Sequence, residues 1–458
     1  MPNPETFAIK WGDIQERFDP HFHRPYFKEL VRLVSRRRFK RLGELISQSS
    51  EVWDISSGLH PITFPYIEIS AVGLGTNEYD IEIVATKHAP SRARQIVRTG
   101  DMLVSLTRPH RGAIAVVKSD HDQAIASTGF AVLRDLKIPS IDRNYLFNVL
   151  CTNICLDQFL QRSSGGNYPA ITPDQLERVI LPLPETEKQR TLSSILDSAR
   201  STRRGKLAQA DELLASLDEF VLNLLEITYP PQPKRIFAIR ASNLTNNFNP
   251  DRYRGVQLER ALHFRNTVGD VCDVVDARTS PSKEDPAAEW DWIRIDDLPN
   301  QPWQVETIRT ELGANIQGAL FQVQENDILL ARLGPTIQNA KFVLCPRPKR
   351  RTVASSEFLV LRCRAGWSPE AVLWILRIKL YRDIMYYRTR GGTPSRYRLD
   401  GTDLSQIPFP RLDSTTQASL VSEVRRRREE ASRLKNDAER EWERAKKWFE
   451  EQLLKGAE

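Results

Sequence analysis

The sequence predicts an α+β fold in which two tandem β-rich domains are separated by two long antiparallel coiled-coil helices, with pseudo-twofold symmetry. Two stretches carry apolar residues at steps of three, four or seven, and in the first of them steps of three and four alternate, which is typical of a coiled-coil seam. The chain also repeats itself over nearly its whole length, with a proline-rich connector between the copies. A repeat of this kind predicts two copies of one fold.

The two predicted long helices follow matching proline patterns, at Pro182 and Pro184 and again at Pro408 and Pro410. The apolar seam residues are Leu207, Ala210, Leu214, Leu217, Val221 and Leu224 in the first helix, and Val421, Val424, Ala431, Leu434, Ala438, Trp442, Ala445 and Phe449 in the second. Because each seam needs an apolar partner, we expect the helices to pair with each other. A helix over residues 187–226 is about 60 Å long at ~1.5 Å per residue.

Aligned segments show the repeat, at offsets of 226 to 230 residues. The pairs are Phe18–Pro20 with Phe248–Pro250, Tyr66–Ile69 with Trp292–Ile295, Gly100–Val104 with Asn326–Leu330, Ala126–Phe130 with Ala354–Phe358, and Gly165–Gly166 with Gly391–Gly392. Offsets that change so little indicate small loop insertions within one preserved fold. We therefore divide the chain into a first β-rich domain (1–184), a central long helix (185–227), a connector (228–236), a second β-rich domain (237–410) and a C-terminal long helix (411–458).

Short or alternating apolar runs predict the strands of each domain. Examples are GDMLVSLTR and GFAVLRD in the first copy, matched by NDILLARLG and EFLVLRC in the second. A helix is predicted over NYLFNVLCTNICLDQFL, where a four-residue spacing places Cys151 and Cys155 on one buried face. The five cysteines are scattered, which does not indicate a disulfide framework.

The charge balance favours an anionic partner. Sixty-six basic residues against 59 acidic ones give a formal charge of +7. Nucleic acid is one such partner, although a merely basic soluble protein has the same composition. No apolar run approaches the length that spans a membrane, and the N-terminus lacks the pattern of a signal peptide. We expect a cytoplasmic, nucleoid-associated protein.

Catalytic motifs were sought and not found. Gly73 and Gly75 lack the third glycine of a dinucleotide or adenosylmethionine loop, and no GxxxxGK[ST] phosphate loop is present. There is also no Asp/Asn-Pro-Pro-aromatic motif and no histidine pattern typical of a zinc enzyme. We expect no catalytic residue, cofactor or metal in this chain. Two alternatives stay open: a divergent DNA-cleaving enzyme with an unrecognised active site, and a helical scaffold that reads no bases.

Loops that follow predicted strands are the candidates for contact with a DNA duplex. The segment Ser105–Gly112 offers Arg108, His110 and Arg111, and its counterpart Ala331–Asn339 offers Arg332, Gln338 and Asn339. Arginine reads guanine bidentately, and asparagine or glutamine reads adenine. The alternative is an exposed basic turn without base contacts.

Two glycine-bearing loops form a second candidate set, because glycine lets the backbone approach a phosphate chain closely. Their candidate contact residues are Arg162, Asn167 and Tyr168 in the first copy, and Arg388, Arg390, Arg396, Tyr397 and Arg398 in the second. The alternative is that these glycines cap the preceding helix. The basic runs Arg36–Arg41 and Pro346–Arg351 are candidates for phosphate contact, whereas Arg425–Arg428 are interpreted as a solvated or partner-facing stripe.

The chain resembles the specificity (S) subunit of type I restriction-modification systems. The resemblance is carried by Glu16–Leu30, by the segments GDMLVSLTR and AIASTGFAVLR, by Gly165–Asp197, where Gln189 opens a long helix, and by the tandem repeat. In the second copy the helix-opening Gln417 is shifted by two residues, and NNFNPDRYRG lacks the acid of the first copy. These departures put the equivalence of the two docking surfaces in doubt.

The resemblance implies two target-recognition domains, each reading half of a bipartite DNA sequence. It also implies helices that act as a spacer and dock two adenine methyltransferase (M) subunits, which carry S-adenosylmethionine. Restriction (R) subunits that use ATP and Mg²⁺ are a further expected partner. By this resemblance the chain is a non-catalytic, phage-defence DNA-binding subunit without a cofactor of its own.

Overall fold

A computed structural model of the chain describes residues 7–9, 14, 17–55, 58, 61–231, 236–239, 250–302, 304–391, 393 and 396–455. The chain forms two compact units. The first consists of Met1–Leu207 and Lys435–Glu458, and the second is Ala208–Leu434. Parts of the predicted connector, of NNFNPDRYRG and of the second glycine loop, including Gly392, lie outside the described residues, as does Glu16.

The first unit contains short helices, strands and the beginning of a long helix. The helices are α1 (Pro25–Ser35), α2 (Leu42–Leu45), α3 (Arg143–Leu150), α4 (Asn153–Arg162), α5 (Pro173–Glu177) and the long α6 (Thr186–Leu224). The strands are β1 (Phe39–Arg41), β2 (Ile46–Gln48), β3 (Thr63–Ile67), β4 (Glu82–Ala85), β5 (Ala93–Ile96), β6 (Met102–Ser105), β7 (Ile114–Val116), β8 (Ile125–Ser127), β9 (Phe130–Leu136) and β10 (Ile180–Pro182).

The second unit repeats this plan. Its helices are α7 (Pro250–Glu259), α8 (Val268–Val271), α9 (Pro281–Glu284), α10 (Gly334–Gln338), α11 (Pro369–Arg377), α12 (Lys379–Tyr387), α13 (Gly401–Ser405) and the long α14 (Ser414–Leu454). Its strands are β11 (Cys272–Val275), β12 (Arg278–Thr279), β13 (Glu289–Ile293), β14 (Arg309–Leu312), β15 (Leu320–Gln322), β16 (Ile328–Ala331), β17 (Phe342–Leu344), β18 (Thr352–Ala354) and β19 (Phe358–Cys363).

Sheet topology confirms the repeat. The first unit has sheets of order β2-β9-β6-β7 and β4-β3-β8-β5, and the second has β11-β19-β16-β17 and β12-β15-β18-β13-β14. In both units the pairing in the middle of the second sheet is parallel, with Ile67 opposite Ala126 and Ile293 opposite Ala354. The sequence alignment also matches these residues, so the two copies share strand order and register.

The central strands separate two cores because successive side chains point to opposite faces. Met102 and Val104 on β6 belong to a core that includes long-helix residues, whereas Leu103 belongs to a second core shared by the sheets. In the second unit Ile328 and Leu330 face one core and Leu329 the other. The loops that follow β6 and β16 are therefore held by strands buried on both faces.

The long helices pair antiparallel, as the seams predict. In the first unit the beginning of α6 packs with the end of α14, and Arg203 donates to Glu439 at 2.7 Å. In the second unit the end of α6 packs with the beginning of α14, where Arg427 donates to the Ser216 carbonyl at 3.0 Å. The seam residue Val221 is fully buried, which confirms the seam.

A buried glutamine ties each long helix to its own unit. Gln189 accepts from the Asp142 amide at 2.9 Å and donates to the Ser140 and Pro184 carbonyls. Gln417 accepts from the Ser368 amide at 2.7 Å and donates to two carbonyls in the same way. The two-residue shift before Gln417 is therefore absorbed ahead of the helix, and the two anchors are equivalent.

The single helix predicted around Cys151 and Cys155 is wrong. It is divided into α3 and α4, with Thr152 in extended backbone between them at ψ 161°. The Thr152 hydroxyl donates to the Val149 carbonyl at 2.6 Å, which satisfies a carbonyl at the end of α3. Both cysteines are nonetheless buried, as predicted.

Candidate nucleic-acid interface

In the first unit the loop after β6 and the glycine loop after α4 lie side by side. The Ile171 amide donates to the Leu106 carbonyl at 2.9 Å, and the Arg108 amide donates to the Pro169 carbonyl at 2.7 Å. Gly165 has a φ of 99° and lies beyond the end of α4, within the turn of the glycine loop. This glycine therefore shapes the turn and does not cap the helix.

Arg108 and Tyr168 form a stacked pair at the tip of these loops. The Arg108 guanidinium lies 4.1 Å from the Tyr168 ring centroid and donates to the Asn167 carbonyl at 3.2 Å. The Tyr168 side chain is 70% exposed, and Asn167 is exposed beside it. Arg108 also has a left-handed backbone, with φ 49°, a strain of the kind that clusters at functional sites. An arginine held on an exposed ring offers both N–H donors and a stacking surface to a nucleic acid.

His110 and Arg111 occupy the 3₁₀ turn that follows. Arg111 is exposed, and among the described residues no carboxylate forms a salt bridge with it. Burial, followed by the charges of Arg111 and Arg108, lowers the pKa of His110. The imidazole is thus held in its neutral form at neutral pH, able to donate through one nitrogen and accept through the other.

Arg162 lies apart from this tip. Its side chain donates to Gln175 at 3.1 Å and stacks on Phe22 at 5.5 Å, and its carbonyl accepts from Arg17 at 2.6 Å. The residue joins α4 to the segment that precedes α1. The glycine loop alone could not indicate this, because Phe22 and Arg17 are distant in sequence.

The second unit brings its two candidate segments together through matching backbone hydrogen bonds. The Leu399 amide donates to the Arg332 carbonyl at 2.8 Å, and the Gly334 amide donates to the Tyr397 carbonyl at 2.9 Å. The pair of segments is thereby placed as in the first unit, with Arg332 and the half-buried Tyr397 at their junction.

The segment Ala331–Asn339 is not the loop that the sequence predicts. It contains the short helix α10, and it is two residues longer than the first-unit loop. The segment ends in a turn at Ala340, where φ is 45°. The Gln338 side-chain amide donates to Asp383 at 3.4 Å, and the backbone carbonyl of the exposed Asn339 accepts from the Gln301 amide at 2.9 Å. Gln338 thus has a protein partner, whereas the Asn339 side chain remains open to solvent.

Two of the predicted arginines are paired with carboxylates inside the second unit. Arg388 donates bidentately to Glu259 at 2.7 and 2.8 Å, with 10% of its side chain exposed. Arg390 donates to Asp403 at 2.6 Å but remains 57% exposed. Arg388 therefore has a structural position, while Arg390 and the exposed Arg396 lie at the surface.

Glu357 is the residue that sequence reasoning missed. It accepts bidentately from Arg398, at 2.9 Å and 2.8 Å, and its carbonyl accepts from the Arg332 amide at 3.0 Å. The same carbonyl bond in the first unit joins Gly129 to Leu106 at 2.7 Å. A signal was present in the aligned segments AIASTGF and VASSEF, where an acid replaces glycine.

The basic runs have protein partners. Arg37 donates to the Leu454 carbonyl at 2.8 Å and so caps the C-terminus of α14. Arg350 and Arg351 approach Glu289 and Asp285 at 3.2 and 3.5 Å. Along α14, Arg425 pairs with Glu370 at 2.5 Å, which places part of the stripe against its own unit.

Within the described residues, no three or more His, Cys, Asp or Glu side chains are grouped so as to hold a metal ion. In the same part of the chain, no helix has the length and apolarity needed to cross a bilayer.

Comparisons with known proteins agree with the sequence resemblance. Residues 39–209 match the family described as the Type I restriction modification DNA specificity domain. The Type I restriction enzyme HindI specificity subunit of Haemophilus influenzae is 30% identical over 120 residues, which is 25% of this chain and 25% of that protein. The match spans a quarter of the relative's length. The relative is itself a specificity subunit.

A solved structure shares the fold over most of the chain. Its description reads "Structural basis underlying complex assembly and conformational transition of the type I R-M system". The TM-score is 0.54 and the identity 21%, and the match covers 92% of this chain and 97% of the other. The HsdS subunit from Thermoanaerobacter tengcongensis has a TM-score of 0.39 and 20% identity, covering 91% and 95%. The first of these confirms the predicted α+β fold class.

Proposed function

We propose that this chain reads a bipartite double-stranded DNA sequence. The match of residues 39–209 to the family described as the Type I restriction modification DNA specificity domain supports this proposal. Each unit reads one half of the target through the loops that follow β6 or β16 and the adjoining glycine loop. The chain itself carries no catalytic residue. It selects the site at which a partner acts.

One observation supports two readers above all: backbone positions that carry apolar residues in the first unit carry charged side chains in the second. Leu106, Gly129 and Ala170 in the first unit correspond through the same hydrogen bonds to polar groups in the second. The corresponding residues are Arg332, Glu357 and Arg398. Direct readout depends on which donors and acceptors meet the base edges. Two such sets on one backbone suit two different half-sites.

The long helices are assigned to partners in this proposal. α6 and α14 form the spacer, and their outward faces dock two adenine methyltransferase (M) subunits. S-adenosylmethionine then belongs to the M subunits, and ATP with Mg²⁺ to restriction (R) subunits where these exist. The five-part division at residues 184, 227, 236 and 410 describes the modules of this arrangement, and the assembly is cytoplasmic.

The proposal is tested by co-expressing the chain with an adenine methyltransferase (M) subunit from the same genome and mapping methylated adenines across the host genome. We expect the two proteins to co-purify and the methylated sites to share a motif of two short sequences at a fixed separation. Metal-dependent DNA cleavage by the isolated chain would support the enzyme alternative instead. Methylation without a sequence motif would support the scaffold alternative.

A domain exchange separates the two readers. Replacing residues 1–184 with the corresponding segment of another specificity subunit should change one half of the methylated motif and leave the other half intact. An exchange that alters both halves contradicts the assignment of one half-site to each unit.

A further inference from the structure

We propose that Glu357 positions Arg398 as a base-reading side chain of the second unit, an arrangement that the first unit does not contain. The inference rests on the proposed function and assigns a specificity-determining pair to it. Arg398 is the reading residue, and Glu357 acts through it.

The geometry of the pair fixes the guanidinium. Arg398 donates from Nε and Nη2 to the two carboxylate oxygens of Glu357, and from Nη1 to the Arg396 carbonyl at 3.4 Å. A guanidinium has five N–H donors. The remaining two lie on Nη1 and Nη2, the paired terminal nitrogens that match O6 and N7 of guanine. The pair is also accessible, since 42% of the Arg398 side chain is exposed.

Backbone hydrogen bonds hold both members of the pair. The Arg398 amide donates to the Arg390 carbonyl at 2.8 Å, and the Arg398 carbonyl accepts from the Arg390 amide at 2.9 Å. Glu357 is held through its carbonyl by the Arg332 amide and directly precedes β19. Both residues therefore have fixed backbone positions, and their mutual hydrogen bonds restrict the side chains. Little side-chain entropy then remains to be lost when DNA binds.

Charge gives the carboxylate a second role. Hydrogen bonds from Arg398 lower the pKa of Glu357. Burial opposes this shift, and the positive charges of Arg398 and Arg332 add to it. Glu357 thus stays ionised beside two guanidinium groups. Removing its charge would leave Arg398 free to swing onto the nearest phosphate, exchanging base readout for sequence-independent attraction.

The first unit does not contain this pair. Gly129 takes the place of Glu357, and a Cβ on it would lie 2.3 Å from Ile69 Cδ1, so the Ile69 side chain would have to move to admit a larger residue. Ala170 takes the place of Arg398 and forms the equivalent bridge with Thr107. An effect of Glu357 is therefore confined to one half of the target.

An exposed salt bridge with no role in recognition is the competing explanation, and such pairs contribute about 0–1 kcal/mol to stability. The chain supplies a control. Asp273 accepts from Nε and Nη2 of Arg364 through a single carboxylate oxygen, at 3.1 and 2.7 Å, and Arg364 follows the other end of β19. Substitution of Asp273 removes an arginine–carboxylate pair that is more exposed than Glu357–Arg398 and lies far along the same strand.

The experiment uses the full chain co-purified with its methyltransferase, and compares methylation rates on the mapped target and on duplexes with one base pair changed. We expect Glu357→Gln and Arg398→Lys each to lower discrimination by at least about tenfold at one shared guanine-containing position of one half-site. Discrimination in the other half-site should not change. Asp273→Asn should match the wild type at every position.

The proposal is overturned if Glu357→Gln lowers the rate on all duplexes in equal proportion, or leaves every preference intact, while its melting temperature matches that of Asp273→Asn. Arg398→Lys keeps the charge and gives an independent result if Glu357→Gln does not fold. Failure of the function proposed above has a different signature, because the wild-type complex would then show no bipartite motif at all.

Discussion

The two units hold their candidate DNA-contacting side chains at different positions of the same backbone frame. In the first unit the polar groups at the tip are Arg108 and Tyr168, and the corresponding residues of the second unit are Gly334 and Arg396. The Glu357–Arg398 pair, in turn, has only Gly129 and Ala170 as its counterparts. The same strand order and hydrogen bonds thus support two unrelated arrangements of donors and acceptors, so the proposed base reading would depend on side-chain placement and not on the fold.

A second difference lies beneath the loops. Both units bury an aspartate that binds an arginine and caps a backbone amide: Asp101 with Arg134, and Asp327 with Arg362, each at 2.8 Å. Glu51 adds a further carboxylate in the first unit, binding Arg134 at 2.7 Å. Its counterpart in the second unit is Ala277, as matching amide bonds show. The first unit therefore shares its buried arginine between two acids.

The largest difference in stability between equivalent substitutions in the two units is expected at these aspartates. Asp327→Asn should destabilise the chain by about 3 kcal/mol, since the Asp327 carboxylate, 1% exposed, is the charged acceptor of both Arg362 and the Gln324 amide. Asp101→Asn should cost less, about 2 kcal/mol, because Glu51 still binds Arg134. Urea denaturation measures both. A larger loss for Asp101→Asn would show that the second carboxylate offers no compensation.

The next effect concerns DNA affinity. Arg108→Ala should weaken binding to the mapped target by about 1–3 kcal/mol, and only through the first half-site. Arg390→Ala is the control, because Arg390 lies in the second unit and donates to Asp403; a loss below about 1 kcal/mol is expected for it. Fluorescence anisotropy with duplexes altered in one half-site at a time makes the measurement. Equal losses for both variants through the first half-site would contradict the assignment of Arg108 to that half-site.

Smaller changes in stability, of opposite sign in the two units, are expected at two equivalent turns. Gly112 has φ 74° and Ala340 has φ 45°, and each lies just before an equivalent strand. A side chain in this left-handed region costs about 1 kcal/mol. Ala340→Gly should therefore stabilise the second unit and Gly112→Ala destabilise the first, by about 1 kcal/mol each. Changes of the same sign in thermal unfolding would show that the turns are not equivalent.

The smallest effect is a pH dependence. Hydrogen bonds from Arg98 and Arg134 lower the pKa of Glu51 to about 2. The resulting stabilisation is fully present above the ordinary glutamate pKa of about 4.3 and is lost as the pH falls toward 2. The melting temperature of Glu51→Gln should fall less between these pH values than that of the wild type, and the difference should be below about 4 °C. A variant curve parallel to that of the wild type would exclude a contribution from Glu51.

The sequence predicted those features that periodicity and repetition encode. The seams through Val221 and Val424 are buried as expected, and offsets of 226 and 228 residues match the strand registers. The offset grows by two where α10 replaces a shorter turn, and the sequence could not locate that insertion. The parallel β3–β8 pairing was also out of reach, because alternation predicts a strand and not its neighbour.

The candidate site was predictable only in part. Residue type and loop position brought Arg108, Asn167 and Tyr168 to one tip, as the structure places them. Arg388 has the same residue type and loop position, yet its guanidinium is bound to Glu259. That partner lies 129 residues away in the chain, so only the tertiary fold could reveal that the charge is already compensated.

The hydrogen bonds on either side of the reading loops also bear on how such a protein changes over generations. The chain is fixed at Leu106 and at Gly112 in the first unit, and at the corresponding Arg332 and Ala340 in the second, although the second segment is two residues longer. Insertions and deletions between these points leave the strand register intact. New DNA preferences could therefore arise by lengthening, shortening or recombining these segments, without any loss of foldability along the way.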